Sequence, residues 1–293
     1  MQFTRMQETT PFEAENSRPF PTGAIIKEAW QISTTYFWPL TMAIFVIQIP
    51  EKIMVSLGNE RQSWQISAWY EALISGFVFV GVYRCIYRLK ADGIAPTFPD
   101  IYNAGQNFYG RNFRMTWLIN LYTILPVGLF AALAIPSASM LKDGSNAPLS
   151  YILLGVALIL GLLLLAWWAI RIFMCRAVLS DDAPGATNAI DKTFSLSKGN
   201  VRMLTPVLMT QVGIYLAWLI VHMVTYFLIV GDFESDVSKA LEVKISLLTS
   251  FPLAFVEAFA VAITALTYLH LKKASKPAEH PPAAAPATET PPA

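Results

Sequence analysis

Long apolar stretches separated by short polar segments dominate the chain. Residues 115–141, 144–170 and 203–231 contain no Asp, Glu, Lys or Arg. Each stretch exceeds the roughly 20 helical residues that cross a hydrocarbon core of ~30 Å. Residues 62–83 and 245–271 hold one charged residue each, and 36–57 is a shorter first stretch. The pattern predicts an all-α integral membrane protein with six transmembrane helices, at about 36–57, 64–86, 114–138, 149–173, 203–230 and 245–271.

A second pattern, apolar residues along one side of a short helix, predicts two or three amphipathic interfacial helices on the cytoplasmic side. The clearest has spacing i, i+3, i+4, i+7 and i+8 and consists of Ala186, Ala189, Ile190, Thr193 and Phe194. Its opposite side is polar and carries Asn188, Asp191, Lys192 and Ser195. A similar element near the start of the chain consists of Ile26, Ala29 and Trp30, and a weaker third one of Ile101, Ala104 and Phe108.

The first and last of these elements also indicate an internal repeat. A shift of 164 residues places Ile26 on Ile190 and Trp30 on Phe194. Each block runs directly into a predicted span. Because each repeat would hold an even number of spans, the repeats are expected to be parallel rather than inverted.

The stretch from Arg176 to Asn200 resembles a known membrane domain. Its matching parts are Arg176-Ala-Val-Leu, Asp181-Asp182, Gly185 and the run from Ala189 to Asn200. The stretch is similar to the membrane domain that accompanies some bacterial glycerophosphoryl diester phosphodiesterases and occurs alone in related multi-pass proteins. Members carry an Arg-terminated helix, an acidic residue, a Gly and an Ala-Ile-x-x-Ser-Trp-x-Leu-x-Lys-Gly-like run. The resemblance implies a membrane-embedded module and identifies no catalytic residue. The catalytic barrel of the phosphodiesterases is not expected in this chain.

Lys and Arg residues cluster on one side of this six-span topology. Five of the 21 lie on the other side, namely Lys52, Arg61, Lys142, Lys239 and Lys244. Because cytoplasmic loops are enriched in Lys and Arg, both termini are expected in the cytoplasm and the protein in a bacterial cytoplasmic (inner) membrane. Residues 1–20 contain no apolar h-region, so no cleavable signal peptide is expected. The net charge of +1 gives no indication of a nucleic-acid partner.

Composition divides the chain into three parts. The chain of 293 residues is 55% hydrophobic and 14% charged, outside the usual range of a soluble domain. Residues 21–273 form the predicted membrane domain. The polar segment 1–20 and the Pro/Ala-rich tail 274–293 cannot bury apolar surface and are expected to be disordered.

Four polar residues inside the predicted spans are the candidate site. Glu71 and Glu257 are carboxylates at membrane depth, where an ionised group costs several kcal/mol unless it is paired or protonated. A rise of 1.5 Å per residue places Gln48 near the level of Glu71 and Gln211 near the level of Glu257. Two Gln–Glu pairs, one per repeat, are therefore expected. Such pairs either lock helices together or line a polar cavity with a protonatable or substrate-binding role.

The remaining polar positions indicate no enzyme. Arg84 and Arg171 lie near inner span ends, where they are expected to contact lipid headgroups or a phosphate-bearing substrate. The sequence contains no HExxH motif, no Cys-x-x-Cys pair and no Walker-type glycine loop, so we expect no catalytic residue, metal site or cofactor. Cys85 and Cys175 are not expected to form a disulfide.

Two functions remain open from the sequence. The leading hypothesis is a membrane protein that binds, organises or transports lipid-like or small amphiphilic molecules. The alternative is a non-transporting scaffold or assembly partner of another membrane complex. The sequence also leaves open whether the protein forms homo-oligomers or binds a membrane partner protein. The two functions differ in one expectation, because a transporter should place Glu257 and Gln211 at a polar cavity and a scaffold should bury them in a dry helix contact.

Overall fold

The computed structural model describes residues 20–57, 65–67, 69–142, 147–181, 185–230 and 239–275. Within these residues the chain is all-helical. The α-helices are α1 (Thr22–Thr35), α2 (Phe37–Leu57), α3 (Gly76–Asp92), α4 (Phe98–Lys142), α5 (Ala147–Ile172), α6 (Cys175–Asp181), α7 (Ala186–Ser197), α8 (Val201–Val230) and α9 (Lys239–Ala274). A π-helical turn, Glu71–Ser75, leads into α3.

Five stretches of these helices are long and apolar enough to cross a membrane. They are Phe37–Val55, Phe98–Pro136, Tyr151–Asp181, Val201–Val230 and Leu241–Ala274. The predicted second span, 64–86, is not among them. Residues 64 and 68 lie outside the described part of the chain, and the π-helical turn interrupts the rest. The structure therefore confirms an all-α class with several membrane-length helices. Five of the six predicted spans correspond to such helices.

Helix α9 forms the centre of the helix packing. It contacts α1, α2, α3, α6 and α8, and α2 is its main partner. Its buried face carries small residues, which let the neighbouring backbones approach closely; these are Ala254, Ala258, Ala262 and Ala265. Helix α8 lies at the periphery, with large apolar side chains such as Leu216, Ile220 and Leu228 exposed.

Helices α3 and α4 cross at two glycines. A methyl group added at Gly81 would lie 2.9 Å from the carbonyl carbon of Ile101 on α4. One added at Gly105 would lie 2.8 Å from Cδ2 and 3.0 Å from the carbonyl carbon of Phe77 on α3. Each glycine therefore gives the backbone of the other helix the room to approach.

The predicted amphipathic elements have three different outcomes. Helix α7 is present at the predicted residues, and its apolar face, Ala186, Ala189, Ile190 and Thr193, with Phe194 partly buried, packs within the protein against α4, α5 and α6. Helix α1 is also present, but its buried face consists of Ile25, Ala29, Ile32 and Ser33. Of the predicted apolar residues, Ala29 belongs to this buried face and Ile26 is partly buried, whereas Trp30 is 50% exposed and meets the rings of Phe255 and Phe259 edge-on.

The third predicted element, at Ile101, Ala104 and Phe108, is not a separate helix. It forms the first turns of α4, which continues without interruption to Lys142. Ile101 is fully buried against α3 rather than turned toward a membrane surface. The predicted disordered ends, 1–20 and 274–293, lie almost entirely outside the described residues.

Candidate functional site

A polar cavity of about 410 Å³ lies among the helices. Each helix contributes residues from one face, because neighbours three, four or seven positions apart share a side of a helix. The lining residues are Gln48, Glu51 and Lys52 of α2; Ser67; Ser75, Phe79 and Tyr83 of the π-helical turn and α3; Phe173 and Arg176 of the α5–α6 junction; Gln211 and Tyr215 of α8; and Glu257, Ala260, Val261 and Thr264 of α9.

Three of the four predicted site residues meet at this cavity. Gln48, Gln211 and Glu257 all line it. The side chain of Glu71 lies outside the described residues, although its backbone begins the π-helical turn. A polar cavity at these three residues is the feature on which the two candidate functions differ.

The Gln–Glu pair that the structure shows differs from the predicted ones, and the predicted Gln48–Glu71 pair falls on a side chain outside the described residues. Nε2 of Gln48 donates a hydrogen bond to Oε2 of Glu257, which joins α2 to α9. Nε2 of Gln211 donates instead to the carbonyl oxygen of Ala260 at 2.9 Å and to Oγ1 of Thr264 at 2.7 Å. The two glutamines thus both reach α9, and one of them reaches across the boundary between the proposed repeats.

Glu51 is the second carboxylate of the cavity. It is 9% exposed, and its Oε1 accepts a hydrogen bond of 2.5 Å from Oγ of Ser67. Nearby, the hydroxyl of Tyr70 donates to the carbonyl oxygen of Ile47 at 2.6 Å. These two bonds attach the segment before α3 to the wall that α2 forms.

Two buried polar atoms at the cavity have no hydrogen-bond partner among the described residues. They are Oε1 of Gln48 and Oγ of Ser75. The side chains are 5% and 4% exposed, respectively. Because an unsatisfied buried polar atom costs about 1–3 kcal/mol, each of these two atoms destabilises the wall in which it lies.

A second cavity of about 340 Å³ lies toward α4 and α5. Three residues line both cavities and separate them: Tyr83, Phe173 and Arg176. The Arg176 guanidinium also lies over the Phe79 ring, with 5.7 Å between Cζ and the ring centroid. In the second cavity Oγ1 of the buried Thr116 has no partner within the described part of the chain. Arg176 is therefore a cation that both spaces share.

Arg84 and Arg171, predicted to contact headgroups, bind backbone carbonyls at helix ends. Arg84 donates to the carbonyl oxygens of Ser180 at 3.1 Å and Asp181 at 2.8 Å, at the end of α6. Arg171 donates to the carbonyl oxygen of Phe194 at 3.2 Å and to Oγ of Ser197 at 3.0 Å, in the last turn of α7. Cations are favourable there because unpaired carbonyls concentrate negative charge at helix C-termini.

A carboxylate at the end of α6, on the residue whose carbonyl Arg84 contacts, connects α6 to α9. The Asp181 side chain accepts hydrogen bonds from the Tyr268 hydroxyl, at 2.6 Å, and from Nζ of Lys272. Nζ of Lys192 on α7 lies 6.0 Å from the Tyr268 ring centroid. This cluster fixes one end of the bundle, and it stands apart from the residues that line the cavity.

Sequence reasoning missed Glu51 and Arg176 as cavity residues, because both were counted among the charges that flank spans. The spacing of Gln48 and Glu51, three residues apart on one helix, was the signal that could have joined them. Within the described residues, no group of three or more His, Cys, Asp or Glu side chains could hold a metal ion.

Fold and site together define an all-helical protein with several membrane-length helices around a polar cavity. Comparison with family models, curated proteins and solved structures returned no match.

Proposed function

We propose that this protein binds a lipid-like or small amphiphilic molecule in the polar cavity and moves it within or across the membrane. The observation that carries the proposal is that Gln48, Gln211 and Glu257, from three different membrane-length helices, line one cavity. Its volume falls within the 300–1,000 Å³ that is usual for small-molecule sites. Polar groups at membrane depth are expensive, so their collection around one space favours a ligand site.

The proposal includes a membrane arrangement. The predicted second span, 64–86, completes the set of six, both termini lie in the cytoplasm of a bacterial inner membrane, and α1 and α7 lie at the inner interface. The distribution of Lys and Arg supports this orientation. The resemblance to the phosphodiesterase-linked membrane domain supports a phosphate-bearing amphiphile as ligand.

A scaffold for another membrane complex is the second candidate, and α8 favours it. This 30-residue helix exposes large apolar side chains along its length, including Leu216, Ile220 and Leu228. A partner helix or a second copy of the chain could cover them, and so could lipid. A scaffold, however, has no use for a water-accessible cavity, so access to the cavity decides between the two functions.

Cysteine labelling tests that access. In a background of Cys85→Ala and Cys175→Ala, we compare the Ser75→Cys and Ser250→Cys variants in membrane vesicles with a small, membrane-impermeant thiol reagent. Both serines are buried, but only Ser75 lines the cavity. Ser250 instead donates to the carbonyl oxygen of Ser246, within α9.

We expect the Ser75→Cys thiol to react from at least one side of the membrane and the Ser250→Cys thiol to stay unreacted until the protein unfolds. Equal protection of both thiols would indicate a dry contact and would favour the scaffold. Native mass spectrometry of the purified protein, with Glu257→Gln as the comparison, then identifies retained lipids or amphiphiles. Retention that is unchanged by Glu257→Gln would remove Glu257 from the proposed site.

A further inference from the structure

An apolar groove of about 550 Å³ lies between α4 and α5, at the surface of the helix packing. One wall consists of Leu121, Leu125 and Leu129 of α4, which are 59%, 71% and 54% exposed. The facing wall is formed by Leu164 and Trp167 of α5. Among the described residues, the groove shares no lining residue with the two cavities described above. It is therefore a separate space, open on a side that faces lipid in the proposed membrane arrangement.

Helix α7 closes one end of the groove. The Trp168 ring of α5 packs on Phe194 of α7, with 5.8 Å between ring centroids, and its Nε1 donates to Oγ1 of Thr123 at 2.8 Å. Toward the other end, the Phe130 ring packs on Gly161 and brings α4 and α5 together. The groove thus runs from α7 along the two membrane-length helices.

The α7 end of the groove is polar. Thr187 and Asp191, four residues apart on one face of α7, line it there. Both side chains are exposed, and neither has a hydrogen-bond or ion-pair partner among the described residues. Neighbouring cations bind elsewhere, since Lys192 lies over the Tyr268 ring and Arg171 donates to the last turn of α7. This end therefore offers a hydroxyl group and a free negative charge to a ligand.

The dimensions of the groove suit a hydrocarbon chain. Leu121 and Leu129 are eight residues apart, which corresponds to about 12 Å of helix. A volume of about 550 Å³ over this length gives a mean cross-section of roughly 45 Å². An α-helix with its side chains is about 10–12 Å across and would need roughly 80–110 Å². A partner's transmembrane helix therefore does not fit inside the groove, whereas an acyl chain, which has no side chains, does.

We infer that the groove binds a membrane lipid, with one acyl chain along α4 and α5 and the headgroup at Thr187 and Asp191. The headgroup donates hydrogen bonds to these side chains and carries no net negative charge, because the free carboxylate repels an anion. Since α7 lies at the inner interface in the proposed arrangement, the lipid belongs to the inner leaflet. The inference rests on the membrane arrangement of the proposed function and requires no ligand in the polar cavity.

Native mass spectrometry tests where the acyl chain lies. The full-length protein in detergent is incubated with an equimolar mixture of phosphatidylethanolamine and phosphatidylglycerol that have identical palmitoyl and oleoyl chains. Leu125→Trp fills the groove, and Ile124→Trp is the control, because Ile124 is its exposed neighbour on α4 and does not line the groove. We expect Leu125→Trp to lose most of the retained lipid and Ile124→Trp to keep it. Equal retention in the two variants would overturn the inference, and so would a dimer that Leu125→Trp alone dissociates, because a second copy would then occupy the groove.

The ratio of the two retained lipids tests the headgroup. Both headgroups donate hydrogen bonds, but only phosphatidylglycerol carries a net negative charge. We expect the unmodified protein to prefer phosphatidylethanolamine by about fivefold, the effect of one like charge near water. Asp191→Asn should remove most of this preference, whereas Asp92→Asn, at an exposed carboxylate at the end of α3 and outside the groove, should not. No preference in the unmodified protein, or one that Asp191→Asn leaves unchanged, would overturn the inference.

The failures of this inference and of the proposed function are distinguishable, because the two sites have different residues. A lipid that Leu125→Trp releases and Glu257→Gln retains belongs to the groove, and supports the inference whatever the polar cavity holds. A molecule that Glu257→Gln releases and Leu125→Trp retains belongs to the polar cavity. If that is the only molecule retained, the proposed function remains and the inference fails.

Discussion

The contact between α3 and α4 predicts that alanine substitutions at two glycines of α4 change the free energy of unfolding in opposite directions. Gly105 faces the α3 backbone, and an added methyl group would lie 3.0 Å from the carbonyl carbon of Phe77 and closer still to its oxygen. Gly110, five residues later on α4, has nothing within 4 Å of the same position. Gly105→Ala should therefore destabilise the protein, and Gly110→Ala should stabilise it.

The sizes of the two effects follow from helix propensity and overpacking. Alanine is favoured over glycine inside a helix by about 1 kcal/mol, and Gly110→Ala should gain most of that. At Gly105 the obstacle is backbone rather than a flexible side-chain end, so the two helices must separate. Overpacking of this kind costs about 1–3 kcal/mol or more, which outweighs the propensity gain. We expect a net loss of about 1–2 kcal/mol for Gly105→Ala.

Thermal unfolding of the detergent-purified protein, followed by size-exclusion chromatography of heated samples, measures both variants. Gly81→Ala is the reciprocal test on α3 and should also lower the midpoint temperature. A midpoint for Gly105→Ala that rises as far as that of Gly110→Ala would refute the close crossing. The crossing also matters for the site, because α3 carries Phe79 and Tyr83 into the cavity wall.

Two further predictions concern the end of the bundle and the thiols. Asp181→Asn weakens the bonds to Tyr268 and Lys272 and should lower the free energy of unfolding by about 1.5–3 kcal/mol, measured by the same thermal assay. The control is Glu28→Gln, which breaks an exposed ion pair with Lys90 and should lower the free energy of unfolding by less than about 1 kcal/mol. Equal losses in the two variants would contradict this ranking. Both cysteines are buried, but Cys175 lines the second cavity and Cys85 lines neither cavity, so in the unmodified chain a small thiol reagent should modify Cys175 first. Mass spectrometry of partly labelled protein gives the order, and the reverse order would argue against water in the second cavity.

The sequence predicts the class of this protein better than its contacts. Charge-free stretches such as 203–231 require no knowledge of packing, because a helix long enough to cross a membrane follows from length and composition alone. The apolar face of α7 was equally predictable from spacing. For α1, two neighbouring faces satisfied the helical period. Packing on α9 selected the one with Ile25 and Ile32, and left Trp30 at its edge.

The partners of the intramembrane polar residues were not predictable. A rise per residue gives the depth of a side chain but not the direction in which the helix turns it. Depth alone placed Gln48 beside Glu71, whereas rotation and packing of α2 against α9 bring it to Glu257. The same limit hid Arg176, since no sequence pattern shows that the α5–α6 junction points a cation toward the space between α3, α8 and α9.

The unsatisfied atoms around the cavities bear on the choice between transporter and scaffold. Oε1 of Gln48, Oγ of Ser75 and Oγ1 of Thr116 are buried without partners among the described residues, at a cost of about 1–3 kcal/mol each. Apolar residues of similar size would remove this cost if packing were the only task. Atoms of this kind also occur away from both cavities, at Ser33, Thr41 and Asn112, so they accompany either function, and the access of water to the cavity that the Ser75→Cys labelling measures is what separates a transporter from a scaffold.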